Sequence, residues 1–65
     1  MQVTVNGEQK VLDSDCTVAD LLANLALVGR LAVEVNEEII PRSQHPQHRL
    51  HPHDRIEIVR AIGGG

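Results

Sequence analysis

The chain predicts a small α+β domain, a mixed sheet of four or five strands covered on one face by a single helix. Three observations lead there. Apolar and polar residues alternate in short stretches near both ends, and one internal stretch repeats its apolar residues at helical spacing. The third is size: 65 residues with no Phe, Tyr or Trp allow one thin core of Val, Leu, Ile and Ala. A chain this short buries only about 60% of the surface its unfolded form exposes, so it makes one domain with no deep cleft of its own.

Met1, Val3 and Val5 alternate with Gln2 and Thr4, the period-2 pattern of a half-buried strand. Asn6-Gly7 follows, a strong hairpin signal because both central positions of a type I′ turn need positive φ. The return strand runs from Glu8 to about Leu12, and Asp13-Ser14-Asp15 breaks the pattern. Thr17 then offers an N-cap, with Asp20 three residues later in a capping-box position where its charge also favours the helix start. Val18, Leu21, Leu22 and Leu25 fall at i, i+3, i+4 and i+7 and form one apolar stripe for the sheet. Gly29 is expected as the C′ stop, with Ala26-Leu27-Val28 closing the end of the core.

A third strand carries Val33 and Val35 alternating with Ala32 and Glu34, turns at Asn36-Glu37, and returns as Glu38-Ile39-Ile40. Pro41 cannot donate a ladder hydrogen bond, which makes this return an edge piece. From Arg42 to Asp54 the pattern dissolves into a loop. Arg55 to Arg60 restores it, with Ile56 and Ile58 facing one side and Glu57 and Val59 the other. The order is ββαβ(β)β. A chain that begins and ends in a strand across one helix suits a β-grasp sheet, with the first and last strands adjacent and parallel at its centre. The parallel placement comes from the fold type and not from the residues.

The net charge of −3 and pI near 5.7 argue against nucleic acid or an anionic membrane, whose electrostatics call for a basic patch. A protein partner with a positive docking surface suits the chain better. Its one cysteine, Cys16, makes no internal disulfide, and the opening residues lack a signal segment. No apolar run approaches the ~20 residues that cross a bilayer, and the expected location is cytoplasmic.

The unusual chemical group is the end of the chain, Ile62-Gly63-Gly64-Gly65. On composition alone, glycines there read as a frayed end. Their context, directly after a strand, points to use. Without a Cβ, glycine enters a channel too narrow for any side chain, and four extended residues reach roughly 13 Å. The expected organisation is a β-grasp domain over 1–61 and a flexible glycine tail over 62–65.

Several segments together resemble the ThiS sulfur carriers of thiamine biosynthesis, ubiquitin-like β-grasp proteins. They are the opening hairpin with Asn6-Gly7, the helix entry Thr17-Val18-Ala19-Asp20-Leu21-Leu22, the run Val35-Asn36-Glu37-Glu38-Ile39-Ile40-Pro41-Arg42, and Asp54-Arg55-Ile56-Glu57-Ile58 leading to Ile62-Gly63-Gly64-Gly65. A terminal Gly-Gly alone is shared by every ubiquitin-like carrier; joined to Asn-x-x-Ile-Ile-Pro-Arg and this length it is more specific. The molybdopterin-synthase sulfur carriers resemble the chain in fold and tail, but tend to be longer and to carry aromatic residues near the end.

The resemblance implies a non-catalytic co-substrate. A C-terminal carboxylate, with a pKa of about 3.3–3.7, is ionised at neutral pH and a poor electrophile. In the family an ATP-dependent, ThiF-like adenylating enzyme joins AMP to the terminal glycine, here Gly65. Persulfide sulfur from a sulfur donor protein then leaves a thiocarboxylate there, and this sulfur passes to a ThiG-like thiazole synthase. ATP belongs to the activating enzyme, and the carrier itself is expected to bind no cofactor. Gly63 and Gly64 would thread the partner's channel, and Val59 and Ala61 would form an apolar docking patch beside the tail, unless they are ordinary scattered surface residues. The alternatives are a molybdopterin-type carrier and a ubiquitin-like modifier, whose Gly65 would end in an isopeptide bond. No Ser/His/Asp, Cys/His or phosphate-loop arrangement supports an autonomous enzyme.

Two further groups invite a function. His45, His48, His51 and His53 lie within nine residues, but Pro46 and Pro52 interrupt helical spacing and no cysteine or carboxylate pair completes a tetrahedral set. A solvated loop is the expectation, with no metal. Cys16 precedes the helix, where the terminus would lower its pKa and let it accept persulfide sulfur; a half-buried structural cysteine is the favoured reading. Arg42 reads as a turn or salt-bridge residue ahead of a partner contact.

Overall fold

The computed structural model describes residues 1–60; the predicted domain boundary and tail, from Ala61 to Gly65, lie outside them. The described elements are β1 (Gln2–Val5), β2 (Glu8–Val11), α1 (Val18–Asn24), β3 (Leu31–Val35), β4 (Glu38–Ile40), a single 3-10 turn (Arg42–Gln44) and β5 (Arg55–Arg60). They form one five-stranded sheet in the order β2-β1-β5-β3-β4. β1 and β5 pair in parallel through Thr4↔Arg55 and Val5↔Ile56, as the β-grasp reading expects, and the other neighbours are antiparallel.

Both predicted turns are present with positive φ at both central residues, Asn6 and Gly7 in one, Asn36 and Glu37 in the other. The alternation fixes which face is covered. Val3, Val5, Val33, Val35, Ile40, Ile56 and Ile58 pack with Val18 and Leu21 of the helix in one core, joined by Leu12, Cys16 and Leu50. β4, three residues long and followed by Pro41, is an edge strand as expected.

The capping box is formed in full: the Thr17 hydroxyl accepts from Asp20 N–H at 3.1 Å, and the Asp20 carboxylate accepts from Thr17 N–H at 3.0 Å. The predicted stop at Gly29 is not where the helix ends. Leu25 is the C-cap and Ala26 takes the left-handed conformation at φ +55. Ala26 N–H then donates to Ala23 O and Leu27 N–H to Leu22 O, both at 3.0 Å, the paired bonds of a Schellman motif. The early reversal has a reason in packing, since it returns Leu27 to the core beside Leu22. Ala26 and Val28 are exposed and do not close the core.

The segment from Arg42 to Asp54 is not the solvated loop that its composition implies. Leu50 and His45 are buried, and the His45 imidazole Nε2 sits 3.1 Å from Ile40 O. His48 O accepts from Val18 N–H and His45 O from Ala19 N–H, both at 3.0 Å. These are two of the donors that a helix start leaves without an internal partner. Thr17 and Arg49 form a bridge, and Leu50 N–H donates to Cys16 O at 2.9 Å. The loop thus straps the helix entrance. Its pattern is aperiodic because each inward residue is placed by a separate hydrogen bond and not by a repeat. Arg42 opens the 3-10 turn and is exposed.

Candidate functional site

β5 is the central strand and the last described element, so it is the mount for whatever follows Arg60. Toward β3 it pairs along its full length, from Val35↔Ile56 to Leu31↔Arg60. Toward β1 the pairing is brief, because β1 turns away after Val5. Asn6 fills the gap. Its N–H donates to Ile56 O at 2.9 Å, and its carboxamide makes two more bonds one rung further on: Oδ1 accepts from Ile58 N–H at 2.8 Å and Nδ2 donates to Ile58 O at 3.2 Å.

The opposite end of β5 is held in a related way. Asn36 N–H donates to Arg55 O at 2.8 Å, while Asn36 Oδ1 accepts from Arg55 N–H at 3.0 Å. The Asn36 amide also donates to Asp54 Oδ1 at 2.9 Å. Two asparagines, each first in a left-handed turn, therefore grip the two ends of one strand. The sequence signal Asn6-Gly7 shows a turn; that the carboxamide reaches a strand 52 residues away is invisible in it.

On the open face of the sheet, Val59 is 59% exposed and lies opposite Ala32. Glu57 lies opposite Glu34 one rung away, a like-charge pair that costs stability across a sheet. Val59 thus lies on the face opposite buried Ile56 and Ile58, as the alternation predicts; its proposed companion Ala61 lies outside the described residues, as do Ile62, Gly63, Gly64 and Gly65.

Cys16 does not fit a reactive role. It is buried rather than half-buried, with its thiol 3.4 Å from Thr17 O. Burial, followed by the charges of Asp20 and Asp13, pushes its pKa above the ordinary thiol value. These effects overrule the lowering expected of a helix start. The four histidines do not converge: among the described residues no group of three His, Cys, Asp or Glu could hold a metal ion. A depression of about 260 Å³ lined by Gln44, Gln47 and His48 is smaller than the roughly 300–1,000 Å³ of small-molecule sites. No helix among the described residues is long and apolar enough to cross a membrane.

A family model described as the ThiS family matches residues 3–65. The chain belongs to the ThiS family. The sulfur carrier protein ThiS of Bacillus subtilis is 42% identical over 63 positions, covering 94% of this chain and 96% of that protein. The sulfur carrier protein ThiS of Escherichia coli is 32% identical over 66 positions and matches end to end. A thiazole synthase of Paramagnetospirillum magneticum is 41% identical over 66 positions, covering all of this chain but 20% of the synthase. The chain thus spans about a fifth of the length of the thiazole synthases it matches. In structure, the crystallised thiamine biosynthesis protein ThiS of Geobacter metallireducens superposes over the whole of both chains, with a TM-score of 0.86 at 29% identity. The ThiS fold here is the ubiquitin-like β-grasp expected from the sequence.

Proposed function

We propose that this ThiS-family chain carries sulfur for thiazole formation in thiamine biosynthesis, with the carboxyl group of Gly65 as the carrying site. The observation that carries the reading is the 42% identity to the Bacillus subtilis sulfur carrier over nearly the whole of both chains. The match to a segment of thiazole synthases supports a ThiG-like synthase as the recipient, since it places ThiS-like sequence and that activity in one chain.

The chemistry proceeds in steps set by the carboxylate. Its oxygen attacks the α-phosphorus of ATP on a ThiF-like adenylating enzyme and expels pyrophosphate. The terminal sulfur of a donor protein's persulfide attacks the acyl carbon, and AMP leaves with one carboxyl oxygen. A thiol then cleaves the acyl persulfide, becoming half of a disulfide and freeing the thiocarboxylate. That sulfur is ionised and nucleophilic at neutral pH. The chain performs none of these steps itself; it presents the group, with Ile62, Gly63 and Gly64 as the segment that enters the partner and Val59 with Ala61 as the patch beside it.

Intact mass spectrometry tests the reading. After incubation with the adenylating enzyme, ATP and a sulfur donor, the protein should exchange one oxygen for one sulfur. An unchanged mass, or the mass of a conjugate to another protein, overturns it.

A further inference from the structure

We propose that Asn6 is a positioning residue for the carboxyl-terminal segment. Its carboxamide holds the last stretch of β5 in place, and so fixes the point from which the segment departs. This rests on the reading of Gly65 as the carrying site.

The even-numbered residues of β5 turn their backbone groups toward β1: Thr4 N–H donates to Asp54 O, Asn6 N–H to Ile56 O, and Ile58 is met by the Asn6 side chain. Parallel pairing with β1 ends at Val5↔Ile56. Beyond it the chain of β1 has already turned, with φ of +49 at Asn6 and +83 at Gly7. A carboxamide is the side-chain copy of a peptide group, one acceptor and one donor. Asn6 presents both to Ile58 and adds a rung that the β1 backbone cannot supply. Asparagine also tolerates the left-handed turn better than other residues with a Cβ. One residue therefore closes the hairpin and extends the central pairing to within two residues of the end of β5 at Arg60.

The consequence is pre-organisation. A partner that takes the terminal residues into a channel must fix their root, and a root already held costs less ordering on binding. Losing the clamp should weaken productive capture and leave the chemical step alone. Asn36 supplies an internal control, since it grips β5 at its start, at Arg55, far from the departing segment.

Asn6→Gly keeps a Gly-Gly turn compatible with type I′ and deletes only the carboxamide; Asn36→Gly does the same at the other end. In ATP–pyrophosphate exchange with the adenylating enzyme, well below the unfolding temperature of either variant, Asn6→Gly should raise the KM for the carrier roughly 3- to 10-fold with kcat unchanged. Asn36→Gly should leave KM unchanged. Asn6→Asp keeps an acceptor for Ile58 N–H but sets an oxygen against Ile58 O, and should not rescue. An unaltered KM in Asn6→Gly, or an equal rise in Asn36→Gly, overturns the proposal. Amide hydrogen exchange separates this from the functional reading. If the wild-type chain is not adenylated, that reading fails, and exchange alone decides the clamp. Protection lost in Asn6→Gly at Ile58 but kept at Ile56 upholds it, and unchanged protection at Ile58 overturns it.

Discussion

The Asn36 carboxamide donates to the Asp54 carboxylate over 2.9 Å, and the other Asp54 oxygen accepts from His51 N–H at 2.8 Å. Asp54 is buried, and every buried side-chain nitrogen and oxygen among the described residues has a partner. One carboxylate thus ties the second left-handed turn to the end of the strapping loop, at the start of the central strand.

Removing that carboxylate leaves two donors in partly buried bonds without their acceptor. Asp54→Ala should therefore destabilise the domain by about 2–3 kcal/mol. Asp54→Asn keeps one acceptor and should cost about half as much. With no Trp or Tyr in the chain, far-UV circular dichroism during urea unfolding is the suitable measurement. An unshifted midpoint in Asp54→Ala would contradict the role.

Ala26 presents the opposite case, a residue whose replacement should help. It holds φ +55 at the C′ position of α1 while its side chain is exposed. A left-handed conformation costs a residue with a Cβ roughly 1–2 kcal/mol, and glycine escapes most of this while losing more entropy on folding. Ala26→Gly should raise stability by about 1 kcal/mol without altering the Schellman bonds. A lower unfolding midpoint would show that the methyl group matters in some other way.

Cys16 gives a pH dependence of definite sign. Its folded pKa lies above the ordinary thiol value because burial, then Asp20 and Asp13, disfavour the thiolate. Between the unfolded and folded pKa the native state binds the more protons, so stability falls as pH rises through that window. The contribution is intact at neutral pH and is lost as pH rises above the ordinary thiol value of 9.0. Cys16→Ala should flatten the alkaline limb of the stability curve. The same variant should still take up sulfur at the carboxyl end, because the buried thiol is no acceptor. Failure of sulfur loading in a folded Cys16→Ala protein would reverse this assignment.

Legibility in the sequence followed periodicity. The five strands, the capping box of Thr17 and Asp20, both left-handed turns and the apolar stripe of α1 repeat or carry local turn chemistry, and the structure has them. Gly29 has the look of a helix stop, whereas the partial burial of Leu27 accompanies an earlier end of α1, at a residue with no such signature. The loop hides its order for a related reason. His45, Leu50 and Asp54 are inward, but each is held by hydrogen bonds that include one to another element, Ala19, Cys16 and Asn36 in turn, and no repeat in the sequence contains that information. At the candidate site, Val59 was legible from alternation on β5. The grip of Asn6 on Ile58 was not, since a sequence shows the turn an asparagine makes and not the strand its amide meets.

Gly64 carries the sharpest test of the functional reading, because its expected effect separates stability from use. The helix and sheet already pack around one buried core among residues 1–60, and on the reading of the terminal segment as one that enters a partner, a methyl group added at Gly64 should leave the urea midpoint unchanged. Glycine differs from alanine in two ways that matter to a threaded segment: it lacks the Cβ that a narrow channel would exclude, and it reaches backbone angles closed to alanine. Gly64→Ala should therefore lower adenylation at Gly65 by about tenfold or more, the effect of roughly 1.4 kcal/mol lost in productive capture. ATP–pyrophosphate exchange measures it directly. A folded Gly64→Ala protein that exchanges at the wild-type rate would mean that the glycines are not read by a narrow channel, although the carboxyl end would still be the group that is adenylated.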